Sequence, residues 1–349
     1  MKQNIIYVAP KISTFVKNDI RLLSTKYNVN TNIYNWHSKI HTPYNLLKQF
    51  AYILSNIYKT KAIIVSFGGY WSLLPSLLGK IFSIPVFIIL NGTDSASIPS
   101  INYGSLRKPL VKMACKYSYK FATKLLPVSP SLIKCNNEYL ELGKENFQGV
   151  SNIFKHSIFK HEVLYNGLDL KFWKKPENII KNEKQFIAVF NTSQFYLKGG
   201  DLIIKLANKF SDCIFLIAGI SEIANIELPS NVKLLGILSS EELRIKYSES
   251  QYHFQLSIFE GFGISLCEAM LCECIPIVSD VNHLANIIED SGFILKKHNL
   301  KMLISLVEKA LKIGHKLELS LSAKQQILNK YTNEIRITSL NQLIQGNIQ

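Results

Sequence analysis

Short apolar runs alternate with longer amphipathic segments along almost the whole chain, and this rhythm limits the folds that it can adopt. We interpret the apolar runs as strands, at residues 4–9, 28–34, 62–66, 85–90, 123–128, 161–165, 185–191, 213–218, 231–235, 252–256, 275–279 and 292–295. Helical patterns lie between them, for example at residues 105–122, 129–142 and 263–272. Such alternation predicts an α/β fold with parallel sheets that helices cover on both faces.

The strands fall into two sets, which the polar stretch 171–184 separates. We predict two doubly wound, Rossmann-like domains, one over residues 1–168 and one over 169–330, with a final helical segment, 331–349, packing back toward the first. Parallel strands place ligands at their carboxyl ends, so a substrate is expected in a cleft between the domains. The sequence contains neither a G-x-G-x-x-G turn after the first strand nor a P-loop, which disfavours a standard dinucleotide-binding dehydrogenase and a P-loop enzyme.

Positive charge is concentrated in the first half of the chain. Residues 1–165 carry 20 basic and 6 acidic side chains, whereas residues 166–349 carry 20 and 19. We therefore expect an anionic partner for the first half. Lysines with apolar residues between them recur every four positions, at Lys108, Lys112, Lys116, Lys120 and Lys124. On a helix they would share one broad side, which favours an anionic membrane surface over a merely solvated face. Nucleic acid is disfavoured, because no recognised motif accompanies the lysines.

Cysteine usage and the first residues bear on the compartment. The six cysteines show neither a disulfide framework nor a metal-binding spacing, and the chain runs into an apolar strand rather than a signal peptide. We therefore expect a cytoplasmic protein, peripheral to the inner face of the cytoplasmic membrane if the lysines bind lipid. Residues 62–79 lack charge, but Gly68, Gly69 and Pro75 favour a strand, a turn and a buried helix there. No D-x-D sequence is present, and we expect no metal or other cofactor.

The stretch from Ser257 to Met270 carries the clearest chemical signal. A strand ends near Ser257, a turn bracketed by glycines follows, and a helix begins at about Gly263. Backbone N–H groups in this turn and at the helix start form an anion site suited to a diphosphate. Glu260 precedes the helix and Glu268 lies ~7.5 Å along it, so two ionised carboxylates could accept sugar and ribose hydroxyls on either side. A glycine-rich turn before a surface helix is the plain alternative.

This E-x7-E span resembles the signature of glycosyltransferase family 4, whose members are retaining enzymes of the GT-B fold. Other segments are similar to the family's motifs and follow in its order: N-G-x-D at Asn166–Asp169 with Phe172, K-G-x-D at Lys198–Asp201, and an H-G-x-D-like sequence at Asn91–Asp94. The resemblance is good over residues 160–295 and looser over 1–130. It implies two Rossmann-like domains that face a central cleft.

The resemblance also implies roles for individual residues. Glu260 would contact the transferred sugar, Lys198 would pair with the donor diphosphate, and Asp94 would contact the reacting sugar. The implied substrate-binding positions are Glu268 at the ribose, the backbone of Gly261, Phe262, Gly263, Ile264 and Ser265, Gly199 beside the lysine, Ile237 and Leu238 near the base, Ser193, and Asn91.

This chain departs from the family pattern at three positions. It has Ser193 where the family usually has arginine, Asn91 where many relatives have histidine, and Glu273 where glycine is usual. From the residues alone, Asp94 could equally cap a turn, and we interpret His253 as a buried core residue.

The function that the resemblance implies is a retaining, metal-independent hexosyltransferase. It would move a sugar from a UDP- or GDP-sugar to a glycan or lipid-linked acceptor, in the synthesis of cell-surface polysaccharide or lipopolysaccharide. Because Ser193 replaces a phosphate-binding arginine, a catalytically weak or inactive GT-B subunit of a glycosylation complex is the alternative. An epimerase or phosphorylase of the same fold is less favoured, since the E-G-F-G turn is typical of the transferases.

Overall fold

The computed structural model describes residues 2–36, 40–224 and 226–346, and the chain divides into two compact units. The first unit comprises Met1–Asn136, Gly143–Asn166 and Asn333–Gln349, and the second comprises Asn137–Leu142 and Gly167–Thr332.

The first unit is built on a parallel sheet in the order β2-β1-β3-β4-β5. Its strands are β1 (Asn4–Ala9), β2 (Asn28–Ile33), β3 (Thr60–Ser66), β4 (Val86–Leu90) and β5 (Lys124–Pro127), and the short β6 (Cys135–Asn136) and β7 (Phe147–Gln148) pair antiparallel beside them. Its helices include α1 (Thr14–Ser24), α2 (Thr42–Asn56), α3 (Tyr70–Ile81), α4 (Pro109–Phe121) and α5 (Val150–Ile153). Every residue of β4 is apolar and buried, as expected for a strand covered on both faces.

The second unit contains a six-stranded parallel sheet in the order β10-β9-β8-β11-β12-β13. Its strands are β8 (Asn182–Val189), β9 (Ile214–Ala218), β10 (Val232–Leu234), β11 (Ser250–Gln255), β12 (Ile275–Ser279) and β13 (Phe293–Leu295). Its helices are α6 (Gly200–Ala207), α7 (Ser240–Glu249), α8 (Ile264–Leu271), α9 (Leu284–Ile288), α10 (Leu300–Lys312) and α11 (Lys316–Lys330). The last helix, α12 (Asn333–Gly346), belongs to the first unit.

Two sequence expectations for the first unit were wrong. Residues 161–165 are not a strand: they run beside β5, but only His161 forms a bridge, with Leu125. Residues 129–142 are not a helix, because only a single 3₁₀ turn, Pro130–Leu132, precedes β6. The uncharged stretch 62–79 contains most of β3 and most of α3. No described helix is long and apolar enough to cross a bilayer.

The boundary between the units is more complex than the predicted division at residue 168. Residues 137–142 belong to the second unit, because the Asn137 side-chain amide donates to the carbonyl oxygen of Ile258 at 2.6 Å and the backbone N–H of His298 donates to the carbonyl oxygen of Tyr139 at 3.0 Å. The predicted final segment splits as well, since Thr332 is the last residue of the second unit. Residues 347–349 of that segment lie outside the described residues.

A buried ion pair fixes α12 within the first unit. The Arg336 guanidinium donates two hydrogen bonds to the Asp19 carboxylate on α1, at 2.6 and 2.7 Å, and further bonds to the carbonyl oxygens of Leu164 and Tyr165. Both charged side chains are 2% exposed. Neither charge can be solvated there, so each depends on the other for its stability.

We predict that Arg336→Met destabilises the protein far more than loss of an exposed ion pair. The substitution leaves the Asp19 carboxylate buried without its partner, which typically costs about 3–5 kcal/mol. The measurement is urea denaturation followed by circular dichroism, with Glu162→Gln as the control in the same unit. Glu162 pairs with Lys124 at half-exposed positions, so its loss should cost less than about 1 kcal/mol. Equal, small losses in both variants would contradict the prediction.

Candidate active site

The second sheet reverses its winding direction between two neighbouring strands. The chain passes from β8 through β9 to β10 on one side, and from β11 through β12 to β13 on the other. The crevice beyond the carboxyl ends of strands at such a reversal is where open α/β sheets bind ligands. The loops after β8 and β11 meet there, because the backbone N–H of Ile258 donates to the carbonyl oxygen of Leu197 at 2.8 Å.

The loop after β8 places Lys198 beside this crevice. The next residue, Gly199, has a φ of +73°, in the left-handed region that glycine adopts readily. A Cβ atom at Gly199 would lie 2.6 Å from the Cβ of Leu256 and 2.7 Å from its carbonyl oxygen. The glycine therefore permits close contact between the two loops and brings Lys198 next to the turn after β11.

The Glu260 carboxylate is held through a single oxygen. Its Oε2 accepts hydrogen bonds from Lys198 Nζ, from Gln255 Nε2 at 2.7 Å and from Ser257 Oγ at 3.1 Å. Its backbone N–H donates to Asn282 Oδ1 at 2.9 Å, which fixes the main chain of the turn. No described residue donates to Oε1, and the side chains of Lys198 and Glu260 each remain 14% exposed. One carboxylate oxygen is thus fixed by the protein, and the other can accept from a ligand.

Backbone amides at the start of α8 lie in the same turn. Gly263 precedes the helix with a φ of +103°, and the N–H groups of Gly263, Ile264 and Ser265 donate to no described residue. The Phe262 ring packs on Tyr331, with ring centroids 5.2 Å apart, so its side chain belongs to the core while its backbone remains in the turn, next to Gly261. Unpaired amides at the positive end of a helix dipole favour an anion.

Glu268 differs from Glu260 in its environment. Its side chain is buried on α8, and no described residue donates a hydrogen bond to its carboxylate. Burial without a partner raises the pKa of Glu268 to about 8. Two ionised carboxylates were expected from the sequence, whereas burial favours the neutral acid at Glu268 in the absence of a ligand.

Ile237 and Leu238 were expected near the base, and Ser193 was expected at the second phosphate contact. Of these positions, Ile237 and Ser193 are more exposed than Glu260 and Glu268. Ile237 follows β10 and is 93% exposed, while Leu238 is partly buried. Ser193 is exposed and donates to Asn191 Oδ1 at 2.7 Å. The next arginine along the chain, Arg244, is occupied elsewhere, because its guanidinium lies over the Phe172 ring at 5.4 Å.

In the first unit, Asp94 has the geometry of a turn-capping residue. It is 1% exposed, and its carboxylate accepts hydrogen bonds from the backbone N–H groups of Gly68 at 2.9 Å and of Asn91 and Gly92 at 3.0 Å. Burial raises the pKa of Asp94 to about 6, although these three hydrogen bonds oppose the shift. The Asn91 side-chain amide donates inward, to Ser66 Oγ and to the carbonyl oxygen of Ile89. Both side chains therefore stabilise the loop after β4.

Sequence reasoning missed the residues that hold Glu260 in place. Gln255, Ser257 and Asn282 contact it, yet none belongs to the E-x7-E or K-G-x-D patterns. The available signal was the polar side chains of the Q-L-S sequence, which end a buried strand and begin the loop after it. Among the described residues, no group of three or more His, Cys, Asp or Glu side chains could hold a metal ion.

Comparison with known proteins identifies the fold of the chain and finds a family match within the second unit. Residues 171–328, somewhat less than half of the chain, match the family model of glycosyl transferases group 1. Over 99% of both chains, the structure is similar to sucrose-phosphate synthase from Thermosynechococcus elongatus, with a TM-score of 0.77 and 13% identity. The protein has a GT-B glycosyltransferase fold.

Two further relatives carry information about ligands. Anabaena HepE, in complex with UDP and glucose, matches 99% of this chain and 100% of its own with a TM-score of 0.73 and 13% identity. A GDP-mannose:cellobiosyl-diphosphopolyprenol alpha-mannosyltransferase from Xanthomonas oryzae is 39% identical over 70 residues. That alignment spans only 20% of this chain and 18% of the enzyme.

We predict that Glu268 makes the ligand-free protein less stable as the pH rises. Its pKa is about 8 in the folded chain and ordinarily 4.5, so the folded state binds its proton more tightly. The resulting stabilisation is complete below about pH 4.5 and is lost as the pH rises through about 8. In urea denaturation, Glu268→Gln should therefore become more stable relative to wild type, by a few kcal/mol, between pH 5 and 8.5.

The control is Glu241→Gln, which removes an exposed carboxylate from α7. Its stability should remain parallel to that of wild type over the same pH range. If Glu268→Gln also followed the wild-type curve, Glu268 would not be a neutral acid in the folded protein.

Proposed function

We propose that the protein is a retaining glycosyltransferase that moves a hexose from a nucleotide diphosphate sugar to a glycan or lipid-linked acceptor. The observation that carries this proposal is the Lys198–Glu260 ion pair beside the unpaired amides of Gly263, Ile264 and Ser265. Fixed positive charge and backbone N–H donors suit a diphosphate, and a carboxylate can accept hydrogen bonds from the hydroxyls of a sugar. The resemblance of the E-x7-E span to glycosyltransferase family 4 adds the retaining outcome.

Two similar proteins support the proposal of a nucleotide-sugar donor. HepE is complexed with UDP and glucose, whereas the Xanthomonas enzyme is named for GDP-mannose and a diphosphopolyprenol-linked acceptor. We therefore propose a UDP- or GDP-sugar as donor and a lipid-linked glycan as acceptor, in cell-surface polysaccharide synthesis.

The proposed mechanism combines the hydrogen-bond geometry of this turn with the retaining outcome that the family resemblance implies. The donor diphosphate binds to the amides of residues 263–265, and Lys198 uses its remaining ammonium protons to stabilise the charge on the leaving group. Glu260 Oε1 accepts from a hydroxyl of the transferred sugar, and Glu268 binds the ribose. Lysine and amides supply the positive charge, so the proposal includes no metal. The acceptor attacks the anomeric carbon on the face that the diphosphate leaves, and a phosphate oxygen takes the proton of the acceptor hydroxyl.

We predict that Glu260→Ala and Lys198→Ala each lower the transfer rate by a factor of about 10²–10³ or more without unfolding the protein. The measurement is product formation with a panel of UDP-, GDP- and ADP-sugars, after thermal-shift screening identifies the donor that binds. Lys205→Ala is the control, since this lysine is 61% exposed on the adjacent helix α6. A variant that retains wild-type turnover would remove its residue from the mechanism.

Ser193 favours a second candidate, an inactive or weakly active subunit of a glycosylation complex. The exposed hydroxyl bonds to Asn191 and cannot replace the charge of a guanidinium. The same panel separates the two functions. Binding of a nucleotide sugar with neither transfer nor hydrolysis would favour the subunit, whereas turnover favours the enzyme.

We also propose that the acceptor is reached at an anionic membrane surface, on the cytoplasmic side. The outward face of α4 presents Leu110, Met113 and Tyr117, which are 64%, 54% and 47% exposed. Lys108, Lys116 and Lys120 are exposed on the same helix or at its start. The other two lysines of the repeat are engaged: Lys112 lies over the Phe154 ring at 5.9 Å, and Lys124 pairs with Glu162 at 2.7 Å. Three exposed lysines around apolar side chains suit anionic lipid headgroups.

We predict that Lys108→Gln, Lys116→Gln and Lys120→Gln together abolish binding to vesicles of phosphatidylglycerol and phosphatidylcholine at low salt. Each lysine contributes about 1 kcal/mol near such a surface, so the triple variant should bind on the order of 100-fold more weakly. The measurement is vesicle flotation. A control triple variant, Lys209→Gln, Lys233→Gln and Lys301→Gln, removes the same charge from exposed positions of the second unit and should still float. If wild type does not bind, or if both variants bind equally, the α4 surface is not a membrane site.

A further inference from the structure

The side-chain amide of Gln255 makes all the hydrogen bonds that its chemistry allows. Its Nε2 donates to Glu260 Oε2 at 2.7 Å and to Ser257 Oγ at 3.0 Å, while its Oε1 accepts from Ser265 Oγ at 2.9 Å. His253 Nε2 lies 3.3 Å from the same Oε1. An amide has two donor hydrogens and two acceptor lone pairs, so four partners saturate it. A carboxylate oxygen can only accept, and this requirement fixes which end of the amide faces Glu260.

The surroundings make this arrangement rigid. Gln255 is 3% exposed and ends β11, while His253 is fully buried on the same face of that strand. Burial lowers the pKa of His253 to about 4, so the ring is neutral at pH 7 and its Nε2 must carry the proton that faces Gln255. A hydrogen bond to a carboxylate is also stronger than one between neutral groups. Gln255 therefore has little freedom to rotate.

Two parts of the candidate donor site meet at this one side chain. Gln255 binds the carboxylate of Glu260 directly, and it binds the hydroxyl of Ser265, a residue whose backbone N–H is one of the unpaired amides of α8. Ser257 adds a second path, since it accepts from Gln255 and donates to the same Glu260 oxygen. The spacing between the sugar-facing carboxylate and the phosphate-facing amides is consequently set through Gln255.

We infer that Gln255 is a positioning residue, which holds Glu260 by Oε2 so that Oε1 faces the sugar of the donor, in register with the phosphate-binding amides of α8. This inference rests on the proposed function for the identity of the ligand. The geometry itself exists without a ligand. Gln255 does not touch the substrate, and its effect passes through Glu260 and Ser265.

A ligand-free test comes first. Crystal structures of wild type, Gln255→Leu and Gln185→Leu are compared at the Glu260 carboxylate. Leucine removes the amide, so Glu260 should move by more than about 0.5 Å or adopt several rotamers, a displacement large enough to disable a site. The control glutamine lies on β8, is also buried, and donates to Ser250 Oγ at 3.0 Å, outside this cluster. Its variant should leave Glu260 in place. An unmoved Glu260 in Gln255→Leu would overturn the inference.

Kinetics provide a second test that stability changes alone cannot mimic. The donor is whichever of UDP-glucose, UDP-N-acetylglucosamine, GDP-mannose and ADP-glucose wild type uses best. With this donor, kcat of Gln255→Leu should fall on the order of 100-fold, because misplacing a substrate-positioning group by about 1 Å has that effect. Its KM, and its affinity for the corresponding nucleoside diphosphate without sugar, should stay near wild type. Loss of diphosphate affinity with unchanged kcat would overturn the positioning role.

A Gln255→Glu variant adds a pH signature. Only when protonated can the introduced carboxyl donate to Glu260, so kcat of this variant should rise relative to wild type as the pH falls. The other titratable groups around this position are His253, Glu260 and Lys198, and both proteins share all three. A profile parallel to that of wild type would count against the inference. If wild type turns over none of the sugars, the proposed function fails, while the crystal structures still decide the role of Gln255.

Discussion

The Lys198–Glu260 ion pair is the interaction on which the rest of the candidate site depends. Its two residues are 62 positions apart, and they meet because β8 and β11 are neighbours at the point where the sheet reverses its winding. Both side chains are mostly buried, so each charge requires the other in the absence of a ligand. In the proposed function, a diphosphate beside Lys198 would supply a second negative group, and the pair would then act as a preformed receptor for an anion.

The two glutamates of the E-x7-E span are physically different, although they look equivalent in the sequence. Glu260 receives three hydrogen bonds, all on one carboxylate oxygen. Glu268 receives none from the described residues, and burial raises its pKa to about 8. A ribose whose hydroxyls donate to Glu268 would favour the carboxylate, so nucleotide binding near pH 7 would release a proton. Spacing alone cannot reveal this difference, because it depends on which partners the rest of the chain brings to each carboxylate.

The sequence predicted the sheets well because buried parallel strands consist of continuous apolar residues, as in β4. The family resemblance implied neighbouring roles for Lys198 and Glu260, and in the structure the two side chains form an ion pair. Prediction from the sequence failed where contacts between distant residues determine the structure. Residues 137–142 pack in the second unit instead of extending a helix. Gln255 acquires its role only from its partners in the turn after β11 and in α8. Glu273 has a φ of +65°, which explains why glycine suits this position, and ion pairs with Lys175 and Lys324 favour the glutamate that stands there instead.

Asp94 and Glu260 show how similar placements lead to different uses of a carboxylate. Each lies in the loop after a strand, and each receives hydrogen bonds from the loop that follows a neighbouring strand. Asp94 accepts backbone amides on both oxygens, which holds the loops after β3 and β4 together and leaves it 1% exposed. Glu260 is held by side chains on one oxygen and keeps the other accessible. A short acidic motif after a strand therefore predicts a well-ordered loop, and the distribution of donors over the two oxygens determines whether the carboxylate can also bind a ligand.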